Sequence, residues 1–318
     1  MRAPRSRPRR CRANKLRRVL RSPSAAALLI LSACVPSPQG GSTALAQAAP
    51  ARLPRPAATA PEPAPRIALA GERVQGGMAI GTVPTGTTAL FLDGKPIPFA
   101  PDRRFLIAFD RDAGPSAMLV ARLADGREVR EPLAIAPRAW NISRLDRLPK
   151  YPVPAPEFER RRPAELAQIE AARAKDTGAQ GWRQTFLWPT TGRISTLFGS
   201  QRIYAGEPGA YHSGIDIARP TGTPVLAPAD GVVVLAATAP FTLEGHLLMI
   251  DHGMGLNSAF MHLSRIDVAV GQQVRRGQTI GAVGASGRAT GPHLHWGLKW
   301  RDARIDPLLV AGPMPGNN

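Results

Sequence analysis

Gly291-Pro292-His293-Leu294-His295-Trp296-Gly297 reads as a short strand bounded by turns, because Gly and Pro punctuate both of its ends. Its two histidines stand two residues apart. Alternate side chains of a strand share a face, so His293 and His295 can enter one pocket. The surroundings carry the same texture. Between residues 182 and 310, Gly and Pro break short apolar runs such as 231–235 (GVVVL) and 247–250 (LLMI). A strand–Gly–strand beat follows at 268–271 (VAVG), 274–277 (VRRG) and Ile280-Gly281. The fold class expected is all-β, with residues 182–310 forming a compact, antiparallel, barrel-like β-sandwich. Its histidines would lie on strand faces and strand-end loops.

His212-Ser213-Gly214-Ile215-Asp216 supplies the remaining candidates. All six histidines of the chain lie between His212 and His295. A straight strand would separate the α-carbons of His212 and Asp216 by about 13 Å, at roughly 3.3 Å per residue. Gly214 lets the chain bend between them. A helix would also bring positions i and i+4 together, but Gly214 and Arg219-Pro220 argue against one. Two imidazoles and a carboxylate make a set that holds zinc while leaving a position open for water. H-x-H or H-x-x-x-D alone is a weak signal. Both in one cysteine-free, Gly-rich domain are a strong one.

The formal charge of +18 suggests nucleic acid until it is divided along the chain. Residues 1–34 hold ten Lys/Arg and no acidic residue, leaving +8 for everything that follows. No basic stripe studded with aromatics appears in that remainder, which argues against nucleic-acid binding. The N-terminal stretch reads instead as an export signal. Arg2 to Arg21 form a basic region and residues 25–31 (AAALLIL) an apolar one, far short of the roughly 20 residues that span a bilayer. Leu31-Ser32-Ala33-Cys34 resembles a bacterial lipobox, making Cys34 the expected lipidated N-terminus of an outer-membrane lipoprotein. The rival is cleavage after Ala44-Leu45-Ala46 and release as a soluble periplasmic protein. Cys11 would leave with the signal, so no thiol remains to bind metal.

Residues 35–66 are rich in Pro and Ala and read as an extended tether. Residues 67–140 alternate between apolar and polar positions and are broken by Asp93-Gly94, Pro101-Asp102, Gly114-Pro115 and Asp125-Gly126. Segments 88–92, 104–109, 117–123 and 129–135 are the strand candidates of a small immunoglobulin-like β-sandwich, a spacer with no histidine of its own. Residues 141–181 are expected to hold a Pro-containing linker to 155 and then a short helix. Pro163 would open that helix, which would run to about Asp176 and present a solvated Glu/Arg face. Residues 311–318 form a tail.

The stretch from Phe198-Gly199 through Tyr211-His212-Ser213-Gly214-Ile215-Asp216-Ile217 resembles the first motif of the lysostaphin-type, or LytM-like, zinc endopeptidases of peptidoglycan. Residues 224–231 (PVLAPADG), Ile250-Asp251-His252-Gly253, Met261-His262-Leu263-Ser264 and Gly291-Pro292-His293-Leu294-His295 follow in that family's order, over about residues 186–307. The resemblance implies that His212, Asp216 and His295 bind one zinc ion per chain. It implies that His262 and His293 are catalytic, handling the attacking water and the developing oxyanion. It also implies a substrate, the peptide cross-links between peptidoglycan stem peptides. Phe260 departs from the pattern, standing where many relatives place a tyrosine.

The other histidines match no ligand position: His246 and His252 are expected at the surface or in turns, and Asp251 in a turn. Trp188, Trp296 and Trp300 are expected in the core. Ser286 in Gly284-Ala285-Ser286-Gly287 lacks the G-x-S-x-G pattern of a serine hydrolase. A non-catalytic LytM-like regulator of another wall hydrolase would have lost ligands that this chain keeps. A biotinyl or lipoyl carrier needs a lysine at a hairpin tip, and the only lysine after residue 181 is Lys299, past the beat.

Overall fold

Alternation of apolar and polar residues dictates the first strands of the computed structural model, which describes residues 64–147 and 156–316. The expected export signal, the lipobox-like stretch with Cys34 and nearly all of the expected tether lie outside these residues. Strands β1 (Ala68–Gly71), β2 (Met78–Thr82), β3 (Thr87–Leu92) and β4 (Lys95–Ile97) are followed by β5 (Arg104–Ala108), β6 (Ser116–Leu123) and β7 (Glu128–Ala134). They form two antiparallel sheets, ordered β1-β2-β5 and β4-β3-β6-β7. The four expected strands correspond to β3, β5, β6 and β7, while β1, β2 and β4 were not foreseen. Asp93 and Gly94 join β3 to β4 with φ of 49° and 75°, the left-handed pair that a tight hairpin requires. Strand β5 is buried on both faces, with Phe105, Leu106 and Ile107 at most 1% exposed, so its run is continuously apolar.

Two expectations for residues 141–181 need correction. Residues within the expected linker form strand β8 (Ile142–Leu145). The helix α1 (Pro156–Arg173) begins seven residues before Pro163 and carries that proline in its interior. A proline there removes one backbone hydrogen bond, but tertiary contacts hold both sides of it. Arg162 makes a bidentate ion pair with Glu244 at 2.6 and 2.8 Å, and Arg161 donates to the carbonyl of Pro240. Glu165, 4% exposed, accepts from the backbone N–H and hydroxyl of Thr242. Glu157, Glu159, Arg160 and Glu170 are solvated as expected, whereas Arg161, Arg162 and Glu165 are docked. A sequence pattern cannot reveal this, because the partners stand about eighty residues away.

The rest of the chain supplies β9 (Arg193–Thr196), β10 (Gln201–Tyr204), β11 (Glu207–Pro208), β12 (Ile215–Ala218), β13 (Pro224–Leu226) and β14 (Gly231–Ala236). Next come β15 (His246–Asp251), β16 (Leu256–Leu263), β17 (Arg265–Ile266), β18 (Gln273–Val274) and β19 (Thr279–Ala282). Strands β20 (His293–Trp300) and β21 (Ala303–Ile305) precede a terminal helix α2 (Pro307–Ala311). The main sheet runs β18-β14-β15-β16-β20-β12-β9, with β21 paired to β20 and a smaller sheet β13-β19-β17 beside it. The architecture is all-β and sandwich-like, without a closed barrel. The strand begun by His293 does not end at Gly297 but continues to Trp300. Trp188, Trp296 and Trp300 are core residues, and the rings of Trp188 and Trp296 meet edge to face at 5.7 Å.

Candidate metal centre and active site

Register sets out the floor of the site. Asp216 on β12 pairs with His295 on β20, and His295 pairs on its other side with Met261 on β16. Paired residues share a face, so these side chains and, two residues on, Ala259, Gly297, Asn257 and Lys299 line one side of the sheet. His212 reaches the same point from the loop before β12. Its backbone N–H donates to Ser200 and its carbonyl accepts from Gly199. Gly214 makes the convergence possible: a Cβ there would stand 2.5 Å from the Trp296 carbonyl oxygen and 2.7 Å from His295 Nε2.

The residues before β8 brace this loop. The Tyr211 hydroxyl donates to Asp110 at 2.9 Å, Arg111 Nε–H donates to the Gly199 carbonyl, and the Arg111 guanidinium lies over the Tyr211 ring. Burial pushes the Tyr211 phenol up to about 12.

His212, Asp216 and His295 present donor atoms that all lie within 4.8 Å of one another. The Leu197 carbonyl can only accept, so His212 Nδ1, 3.2 Å away, carries the proton and Nε2 is bare. That Nε2 lies 3.0 Å from Asp216 Oδ1 and 3.0 Å from His295 Nδ1, which is itself 2.9 Å from the same carboxylate oxygen. Electron pairs therefore face one another, and one proton on His295 cannot satisfy both of its neighbours. A cation at their common focus satisfies all three, so the residues fit a metal ion. Burial is the largest influence on Asp216 and pushes its carboxyl up. The His212 and His295 imidazoles outweigh it and hold the group well below the usual carboxylate range. Burial pushes His295 down, and its Nε2 has no partner.

His262 and His293 stand beside this cluster with ring centroids 4.8 Å apart. Simple alternation would turn His262 away, since its neighbour Met261 already faces the metal donors. A register shift between β15 and β16 and a left-handed φ of 62° at His262 swing it onto their side. Its backbone N–H donates to the Glu244 carbonyl at 2.8 Å, and Glu244 is the residue clamped by Arg162 of α1. His262 Nδ1–H donates to the Ser286 carbonyl and His293 Nδ1–H to the Gly291 carbonyl, both at 2.8 Å. Each tautomer is thereby set with Nε2 bare, and His293 Nε2 lies 3.8 Å from Asp216 Oδ1. Burial pushes His262 down to about 4, so it is neutral at pH 7.

All five histidine and aspartate positions singled out in this domain thus converge. Glu244, Arg162, Ser286 and Tyr211 support them, and no spacing in the sequence marks these four as partners of the site. Two placements differ from expectation. His252 is fully buried, its ring nitrogens engaged by the Asp230 carbonyl and the Ser258 hydroxyl, rather than at the surface. Asp251 is a buried strand residue that accepts from Thr177 and Gly253. Both lie at the closed end of the β15–β16 hairpin, where the chain folds over them. Phe260 is buried opposite Trp296 in the core.

Residues 210–307 match the model of Peptidase family M23. The peptidoglycan DD-endopeptidase ShyA of Vibrio cholerae serotype O1 is 42% identical over 123 residues, which are 38% of this chain and 28% of ShyA. The DD-carboxypeptidase/endopeptidase Mpg of Neisseria meningitidis serogroup B is 41% identical over 123 residues, 39% of this chain and 28% of Mpg. The alignments therefore span under a third of these relatives' own lengths. A crystal structure from Pseudomonas aeruginosa, assigned to peptidase M23, superposes with a TM-score of 0.58 at 33% identity. It covers 76% of this chain and 95% of that one. The chain belongs to peptidase family M23.

Proposed function

We propose that the protein is a zinc metalloendopeptidase that hydrolyses peptide cross-links in bacterial peptidoglycan, with His212, Asp216 and His295 as the zinc ligands. The observation that carries this reading is the juxtaposition of three converging metal donors with two histidines whose Nε2 atoms are bare. Two imidazoles and one carboxylate suit zinc and leave a coordination position open. Zinc held there supplies Lewis acidity, which polarises a scissile carbonyl and acidifies the attacking water.

The catalytic side chains in this reading are His262 and His293. A neutral imidazole accepts the proton of the attacking water at its bare Nε2. The imidazolium so formed donates to the developing oxyanion and then returns the proton to the leaving amine. Their Nδ1–H bonds to backbone carbonyls hold both neutral rings in the tautomer that accepts at Nε2. The name of ShyA, a peptidoglycan DD-endopeptidase, supports a peptidoglycan substrate, and in a Gram-negative wall the bond would be the D-Ala–diaminopimelate cross-link. Action on that polymer requires export, and the basic-then-apolar N-terminus with Cys34 supports an outer-membrane lipid anchor. Secretion into the periplasm after Ala46 is the alternative.

Digestion of purified sacculi, with products identified by mass, tests this reading. Cross-linked dimers should fall and monomers rise, and a chelator should stop both changes. Release of glycan pieces with cross-links intact would overturn the assignment.

A further inference from the structure

The sheet face that carries the metal donors continues into a cleft lined by Ser213, Asn257, Gly297 and Lys299, with Arg173 and Arg304 at its sides. Arg173 ends helix α1, whose Ile169 and Ala172 pack on Val234, Met249 and Ala259, so the helix itself walls the cleft. Lys299 is half-buried, and its side chain makes no hydrogen bond or ion pair among the described residues. Arg173 is also half-buried, and its Nε–H is shut away from solvent with no acceptor. Arg304 spends one N–H on the Tyr211 hydroxyl and keeps its other side-chain donors.

Removing a cation from water without a counter-charge is costly, and structural cations are ordinarily paired when they are buried. Here two half-buried cations and a third at the rim share one cleft, and among the described residues no carboxylate is in contact with Arg173 or Lys299. Burial first, and then the neighbouring positive charges, depress both of these groups. Asn257, 4% exposed between them, has an unpartnered Oδ1, and rotation of its amide offers an N–H in the same place. The site is positive, partly desolvated and adjacent to the reacting centre through Ser213 and Gly297. Glu170 and Glu244 act on Arg173, and Asp110 and Asp302 on Lys299, only from beyond ion-pair distance.

We propose that Arg173, Lys299 and Arg304 form a carboxylate-binding subsite that takes a free carboxylate of the peptide being cleaved. The proposal rests on the peptidase reading above for the identity of that peptide. The carboxylate has two possible sources in a cross-linked stem dimer: the one borne by the diamino acid next to the scissile amide, and the one at the chain terminus. Lys offers a point charge and Arg a planar fork, so together they suit one carboxylate rather than a neutral amide.

The test uses the full chain and stem-peptide dimers in three forms: unmodified, amidated at the diamino acid carboxylate, and amidated at the terminal carboxylate. Wild type should cleave the unmodified dimer with a KM about tenfold lower than one of the amidated forms, and that form identifies the source. Arg173→Gln with Lys299→Gln should raise KM about tenfold on the unmodified dimer, leave it unchanged on the discriminating amidated dimer, and retain the wild-type melting temperature. Lys299→Arg, which conserves the charge, should retain the preference. Calorimetry with the uncleaved monomeric stem peptide supplies a reading independent of catalysis. Its binding should weaken on amidation in wild type and become insensitive to amidation in the double variant. If no dimer is cleaved but this pattern holds, the peptidase reading fails and the subsite stands. Equal binding of free and amidated peptide by wild type, no binding of either, or equal losses by the variants on all substrates would overturn the subsite.

Discussion

The two ends of the β15–β16 hairpin each bury a histidine, and they differ in what those histidines have left to give. At the closed end His252 is 0% exposed, donates Nδ1–H to Asp230, accepts from Ser258 at Nε2 and meets the ring of Phe186 edge to face. At the open end His262 is 8% exposed, satisfies only Nδ1 and holds Nε2 free beside His293. Burial pushes both down to about 4. Burial and basicity therefore do not separate the two histidines; an uncommitted lone pair next to the candidate metal donors does. The aspartates repeat the contrast. Asp251 spends its oxygens on Thr177 and Gly253, whereas Asp216 faces imidazoles.

The sharpest way to break this contrast is to exchange the aspartates' fates. Asp216→Ala should abolish metal binding and reduce peptidase activity to background, whereas Asp251→Ala should keep one metal per chain by elemental analysis. Metal retained at full occupancy in Asp216→Ala would remove the distinction. Next in size is the histidine pair. His262→Ala should lower activity by about 10²-fold or more with metal and melting temperature retained. His252→Ala should leave two buried groups unpaired and cost roughly 2–4 kcal/mol in denaturant unfolding, with activity per folded molecule within a few-fold of wild type.

The smallest effect concerns acid. His252 stays neutral in the folded state down to about 4, while its unfolded counterpart accepts a proton near 6.5. Protons therefore favour the unfolded chain as pH falls through that window, and stability should decline by about 2 kcal/mol from this group between pH 6.5 and 5. Urea titrations at several pH values should show a flatter dependence for His252→Gln than for wild type. Equal slopes would mean that the imidazole is not held neutral by burial.

Much of the site was legible because its residue types are rare in this chain and its spacings are chemical. Six histidines crowd into one domain, and H-x-H on a strand delivers two imidazoles to one face. The helix was misjudged for an equally physical reason. Pro163 is a conventional first-turn residue, and only the clamps from Arg161, Arg162 and Glu165 to residues 240–244 explain its interior position. His252 lies in the hairpin connection, as a histidine beside an aspartate and a glycine suggests, but its full burial was not legible. Its burial depends on Phe186 and Asp230, which are distant in the chain.

By itself, then, the sequence determined the all-β character of residues 182–310, the pairing of His293 with His295 on one face, and a thiol-free donor set. These follow from local periodicity and residue chemistry. The family resemblance pointed to His262, but the tertiary structure alone decided how it joins them, because the alternation of β16 would turn it away. A register shift and a left-handed backbone, held by Glu244 and Ser286, turn it back. It also decided that Arg173, Lys299 and Arg304 face one cleft, since they come from a helix and two strands whose docking no local pattern encodes. Periodicity is a property of neighbours along the chain, whereas convergence is a property of packing.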